Sequence, residues 1–215
     1  MPRKPRLAPA NFIYHIISRG NNKQTIFMDD QDHFRYLHLL KKYKDQYKFL
    51  IYHYVLMNNH VHIMGMPLEE GLMSKLMRRV NCSYALYFRR KYGGIGHFWQ
   101  DRFKSLIILT EEYHFKCASY VELNPVKAGL VKHPHHYKWS SYSVYAYGSN
   151  NGIVDIDPLY KTFGDNSDDR KIGYVDFINY MAQNPQENIS DNTIQKLQEG
   201  IFFKLRSLVP PSLYC

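Results

Sequence analysis

Hydrophobic and polar positions change period several times along the chain, and each change marks an element. Phe12 to Ser18 is a run of β-branched and aromatic residues that ends at Arg19-Gly20-Asn21-Asn22, a strand followed by a turn. From Asp30 the period lengthens. Phe34, Leu37, Leu40 and Lys41 recur at helical spacing and basic residues gather toward Lys48, which predicts a helix over about residues 30–46. Phe49 to Met57 and His60 to Met66 are again β-rich, on either side of Asn58-Asn59, a pair able to take the positive φ angles of a tight hairpin turn. Leu72, Leu76, Val80, Tyr84 and Tyr87 form one face of a long helix from Gly71 to Tyr92, stopped by Gly93-Gly94, and its other faces are strongly basic. Lys104 to Leu109 is a fourth strand. Thr110 then caps a helix with Glu111 and Glu112 in its first turn, predicted to end near Asn124 because Pro125 disfavours helical geometry in the residue before it.

The order βαββαβα predicts an α+β fold, a ferredoxin-like split βαβ core with a central antiparallel sheet. Past Ser149-Asn150-Asn151-Gly152 the composition turns acidic and less regular, with helical signals near Tyr174 to Ala182 and Thr193 to Phe203. The expected organisation is a domain over residues 1–148 and a mainly helical C-terminal appendage over residues 149–215.

Charge sharpens this division. Residues 1–148 carry 22 Lys/Arg against 10 Asp/Glu, whereas residues 149–215 carry six against nine, so the net +9 belongs to the first two thirds of the chain and points to a polyanionic partner. Nineteen tyrosines and twelve phenylalanines interleaved with these cations offer stacking platforms for unpaired bases as well as core. No apolar run is long enough to cross a bilayer, and the basic start Met1-Pro2-Arg3-Lys4-Pro5-Arg6 lacks the apolar segment of a secretory signal, so a cytoplasmic protein is expected. Cys82, Cys117 and Cys215 form no CxxC pair, which suits a reducing compartment and gives no zinc-finger spacing.

Two segments carry candidate chemistry. In the strand His60-Val61-His62, alternation puts both imidazoles on one side and Val61 on the other, so the pair can chelate one metal ion or can simply hydrogen-bond as strand histidines. In the helix ending Tyr120-Val121-Glu122-Leu123-Asn124-Pro125, Tyr120 and Asn124 are four apart and share a face, as a nucleophile with a nearby amide or as a core tyrosine with a capping asparagine. Tyr113, about two turns earlier on roughly the same face, is a rival nucleophile.

In this order His60-Val61-His62, Gly96-His97-Phe98-Trp99-Gln100-Asp101-Arg102-Phe103-Lys104-Ser105 and Tyr120-Val121-Glu122-Leu123-Asn124-Pro125-Val126-Lys127-Ala128-Gly129-Leu130-Val131 closely resemble the single-tyrosine HUH transposases. Within that superfamily the chain is most similar to the REP-associated tyrosine transposases. Tyr14-His15-Ile16-Ile17-Ser18-Arg19-Gly20-Asn21 and Tyr137-Lys138-Trp139-Ser140-Ser141-Tyr142 extend the resemblance over roughly residues 12–148. It implies that His60, His62 and Asn124 bind a divalent metal, Mg2+ or Mn2+, and that Tyr120 is the nucleophile of a metal-dependent single-stranded DNA endonuclease and strand transferase. The implied substrate is a DNA hairpin with an unpaired flank, cut through a 5′-phosphotyrosine. Arg19, Arg78, Arg79, Arg89, Arg90, Arg102 and Lys104 are then candidates for phosphate contacts and Trp99 for base stacking. Relatives nearer the simplest insertion sequences carry Gln where this chain has the shorter Asn124, and many have Asn where it has Arg89. A domesticated protein that binds such hairpins without cutting them, and a hydrolase that releases a free 5′-phosphate without needing Tyr120, are the alternatives. Monomer and homodimer both fit.

Overall fold

The computed structural model describes residues 8–185. Four strands, β1 (Ile13–Arg19), β2 (Phe49–Met57), β3 (His60–Pro67) and β4 (Lys104–Ile108), form one sheet in the order β2-β3-β1-β4 with every pairing antiparallel. The helices are α1 (Asp30–Gln46), α2 (Leu72–Tyr92), α3 (Glu111–Lys127), α4 (Tyr142–Tyr147) and α5 (Ser167–Gln183). The predicted βαββαβα order and antiparallel α+β core are therefore present.

Strand alternation divides the core into two layers. Tyr14, Ile16, Val61 and Ile63 join Leu39, Leu40, Leu76, Val80 and Tyr84 of α1 and α2 on one face of the sheet. Val55, Met64, Leu106 and Ile108 pack against Cys117, Ala118, Tyr120 and Val121 of α3 on the other. Local signals fix the helix starts: Asp29 and Asp32 form a reciprocal capping box at α1, and the Thr110 hydroxyl accepts from Tyr113 N at α3.

Two local expectations are corrected. Helix α3 does not stop near Asn124 but runs through Pro125 to Lys127. The proline removes one N–H, yet the last turn closes behind it: Ala128 N donates to Asn124 O, Leu130 N to Pro125 O, and Gly129 takes a φ of 69°. The β2–β3 turn is indeed two residues long, but neither Asn58 nor Asn59 has a positive φ. Long-range hydrogen bonds hold it instead, from Ile26 N to Asn58 O and from Gly20 N to Asn59 O.

A third layer covers the back of α3, where Leu123 packs with Tyr142, Tyr145, Tyr174, Ile178 and Met181. Helix α5 begins about two turns before the predicted helical signal, because Asn166 accepts from Asp168 N and Asp169 N and so starts it in a polar stretch. Residues 139–155 also seal the outer edge of β2. Leu56 N donates to Trp139 O, Ser141 N to Tyr54 O, and Asp155 N to Ile51 O. The Lys44 ammonium, almost fully buried, is met there by Asp155 at 2.7 Å and by Ile153 O at 2.9 Å. The helix signal at Thr193 to Phe203 lies outside the described residues. Among the described residues no helix is long and apolar enough to cross a membrane.

Candidate active site

The sheet face covered by α3 carries the histidine pair. Odd positions of β1 and even positions of β3 and β4 point to it, so register puts Lys104, Ile17 and His62 in one row and Arg19 and His60 in the next. Tyr120 descends from α3 onto this surface. Its ring centroid lies 5.4 Å from that of His62 and 5.8 Å from that of His15, both edge-on, and His60 is 4.8 Å from His62. The Lys127 ammonium, from the turn beyond Pro125, sits 4.9 Å from the Tyr120 ring centroid. Asn124, one turn after Tyr120, is buried on the same helix.

Each imidazole of the pair has its Nδ1 engaged. His60 Nδ1 lies 2.6 Å from Asn59 Oδ1, and His62 Nδ1 lies 2.8 Å from His15 Nε2. The Asn59 oxygen accepts, so His60 carries its proton on Nδ1 and its lone pair on Nε2. His62 Nε2 is buried and meets no hydrogen-bond partner, an orphaned polar atom in the middle of the site. Burial first, and then the charges of His60, His15 and Arg19, hold the His62 imidazole well below its usual pKa, so the ring is neutral. A neutral histidine with an unsatisfied nitrogen is chemically suited to a divalent metal. Among the described residues no group of three or more His, Cys, Asp or Glu is arranged to hold a metal ion.

The other sequence-predicted residues divide by position. Arg19 and Lys104 share the face of the histidine pair. The segment Phe98–Gln100 runs beside the end of β1, with Asn21 N donating to Phe98 O and Gln100 N to Arg19 O, so exposed Arg102 follows close behind. Arg78, Arg79, Arg89 and Arg90 are exposed on α2, which packs on the opposite sheet face, and Arg89 donates to Gly96 O at the start of the Gly96–Ser105 motif. Trp99 is half-buried against the α2 core, its indole N–H donating to Asn81 O. Burial pushes the Tyr113 phenol far above its usual pKa, and its hydroxyl is sealed in the α3 layer without a hydrogen-bond partner, which disfavours it as a nucleophile.

Sequence reasoning missed His15, Asn59 and Lys127. His15 shares strand parity with Arg19, a signal that becomes useful only once the β1–β3 register is known. It also missed a buried polar cluster beneath α3. There His53 of β2 lies between Glu122 at 3.0 Å and Asp157 at 3.1 Å, and Asp157 also meets His114 at 2.5 Å.

Comparison with solved structures finds a REP-associated tyrosine transposase bound to a REP hairpin, 22% identical, covering 73% of this chain and 93% of that one with a TM-score of 0.57. A presumed transposase from Deinococcus radiodurans is 13% identical and covers 56% of this chain and 96% of its own, with a TM-score of 0.40. No functionally curated protein matches. Residues 9–124, over half of the chain, match the family described as transposase IS200 like, and that match takes in both histidines, Tyr120 and Asn124: the chain belongs to the IS200-like transposase family.

Proposed function

We propose that this transposase-family protein is a metal-dependent endonuclease and strand transferase for single-stranded DNA, with Tyr120 as its nucleophile. The observation that carries the reading is the meeting of Tyr120 with the His60/His62 pair on one sheet face, around the orphaned His62 Nε2. His60, His62 and Asn124 are the residues that hold a divalent ion, Mg2+ or Mn2+. An ion held by them would supply Lewis-acid stabilisation of the charge that develops on the scissile phosphate.

The residues of the chain do the rest. A tyrosine hydroxyl has a pKa near 10 and is a weak nucleophile at neutral pH, so positioning matters more than basicity. The edges of two imidazoles fix the Tyr120 ring, and the Lys127 ammonium favours negative charge at the phenol and at the incoming phosphate. As the Tyr120 oxygen bonds to phosphorus, the P–O3′ bond breaks. The phenolic proton is released, the 3′ oxygen gains one, and the products are a 5′-phosphotyrosine and a 3′-hydroxyl. That ester conserves the phosphodiester, so the reverse attack by a 3′-hydroxyl rejoins strands without a nucleotide cofactor.

The substrate is proposed to be hairpin DNA with an unpaired flank, by analogy with the hairpin bound to the REP-associated relative of similar fold. Arg19, Lys104 and Arg102 lie nearest the reacting phosphate, and the basic face of α2, with Arg78, Arg79, Arg89 and Arg90, supplies further phosphate contacts. Half-buried Trp99 is proposed to stack on a base. The site of action is the cytoplasm.

The test is incubation of labelled single-stranded hairpins carrying unpaired flanks with protein and Mg2+ or Mn2+, followed by denaturing electrophoresis. A denaturant-stable adduct is expected with the parent protein and none with Tyr120→Phe, at nearly unchanged hairpin affinity. An adduct that persists in Tyr120→Phe moves the nucleophile elsewhere. Metal-dependent cleavage with no adduct in either protein means hydrolysis, and tight binding without cleavage means a hairpin-binding protein.

A further inference from the structure

The β1–β3 register pairs His62 with Ile17 and His15 with Met64, so the two histidines are diagonal neighbours on the α3 face of the sheet. His15 Nε2 lies 2.8 Å from His62 Nδ1, the ring centroids are 5.0 Å apart, and the planes differ by 18°. The N···N distance plus the two ring radii accounts for the whole centroid separation. The rings therefore meet edge to edge in nearly one plane, in the alignment of a ring-to-ring hydrogen bond rather than a face-to-face stack.

One proton serves that bond, and its position decides what His62 can do. If His15 donates, His62 Nδ1 accepts, and the neutral His62 ring must carry its hydrogen on Nε2. That places a buried N–H with no acceptor at the centre of the site. If His62 donates, its Nε2 carries a lone pair instead, and the hydrogen that His15 keeps sits on its own buried Nδ1. Burial therefore does not separate the two arrangements, and the metal-site reading does: a ring that offers its Nε2 lone pair to a metal has its hydrogen on Nδ1 and gives it to the nearest acceptor, here His15 Nε2. That arrangement also repeats what happens one step along the strand, where His60 gives its Nδ1–H to the Asn59 side-chain oxygen. Metal-binding histidines generally give their second N–H to a carboxylate or a carbonyl. Here an amide serves one ring and a third imidazole serves the other.

We propose that His15 is a positioning residue: it accepts the Nδ1–H of His62 through its own Nε2 and thereby holds His62 in the tautomer whose Nε2 binds the metal. This rests on the metal-site reading given above. His15 touches neither metal nor DNA in this role, and an acceptor of another kind at the same place can replace it.

The test compares the parent protein with His15→Leu, which fills the space without an acceptor, and with His15→Gln, whose amide oxygen falls near the position of Nε2. Mn2+ binding is read without DNA, by the electron paramagnetic resonance signal of the free ion. The His62 tautomer is read from 15N chemical shifts in metal-free, histidine-labelled parent protein. The expected results are an Nδ1–H tautomer at His62, Mn2+ affinity about 10–100-fold weaker in His15→Leu, and affinity in His15→Gln within about threefold of the parent. An Nε2–H tautomer in the parent, or unchanged Mn2+ affinity in a folded His15→Leu, overturns the proposal. The tautomer measurement decides alone if His15→Leu does not fold. A parent protein that binds no Mn2+ removes the metal reading itself, a result distinct from loss confined to the variant.

Discussion

Asp157→Asn removes a single buried charge and should loosen the whole layer behind α3. In the folded protein Asp157 Oδ2 accepts from His114 Nε2 at 2.5 Å and from His53 Nε2 at 3.1 Å, while Oδ1 accepts from Leu159 N at 2.8 Å. Breaking a buried ionic cluster by removing one partner costs about 3–5 kcal/mol, and the retained amide oxygen for Leu159 puts this case at about 3 kcal/mol. For a domain of this size that is a fall in melting temperature of roughly 6–12 °C. The effect should depend on pH. Burial alone would lower the His53 pKa, but its hydrogen bonds to Asp157 and Glu122 and their charges outweigh that and raise it to about 9. A raised histidine stabilises fully below its ordinary 6.5, and the contribution is lost as pH rises through about 9. Asp157 is also buried, yet its two histidine partners depress its pKa far below 3.8, so its contribution is present above 3.8 and is lost in strong acid. The gap between parent and variant should therefore be widest between about pH 4 and 6.5 and should narrow above pH 9. Thermal unfolding followed by circular dichroism at pH 6 and pH 9.5 measures it. A melting temperature within about 2 °C of the parent at pH 6, or a gap that widens above pH 9, would refute the reasoning.

Other outcomes follow from the same geometry. His60→Ala and His62→Ala should each abolish metal-dependent cleavage, and full activity of either at ordinary Mn2+ concentration contradicts the ligand assignment. Lys104→Ala, in the same sheet row as His62, should lower the slope of log affinity against log salt for a labelled hairpin by about one; an unchanged slope means Lys104 meets no phosphate. Gly65→Ala should destabilise by about 1–3 kcal/mol, because the added methyl would stand 2.2 Å from Leu50 O and 2.5 Å from the Phe49 ring; an unchanged urea midpoint counts against this. A chain ending at Gly148 loses buried Ile153 and Asp157 and half-buried Asp155, and should melt without cooperativity, which a sharp transition would disprove.

Much of this was legible in the sequence because it is local. Strand alternation placed His60 and His62 on one face, the Thr110 cap and acidic first turn gave the start of α3, and helical spacing found α1 and α2 nearly to the residue. What escaped depends on partners far along the chain. Pro125 signals a stop, and only the turn closed by Gly129 lets the helix continue past it. Asn58 and Asn59 have the composition of a positive-φ turn, but carbonyls pinned by Gly20 and Ile26 decide their conformation. His15 reads as a polar interruption of an apolar strand until the register sets it beside His62. His53, Glu122 and Asp157 each look like a surface residue, and their value comes from meeting one another.

The sealing of the β2 edge has a consequence for how the protein is made. Lys44 meets Asp155 across 111 residues of chain, and His53 meets Asp157 across 104. At synthesis rates of about 5–20 residues per second, the second strand emerges roughly 5–20 s before the segment that closes its outer edge and neutralises its buried histidine. Over that interval an unpaired strand edge and an uncompensated lysine lie open to any other nascent chain. The scaffold that holds Tyr120 is therefore closed only by residues that follow it in the chain, and a product terminated before Asp155 and Asp157 would keep that edge open.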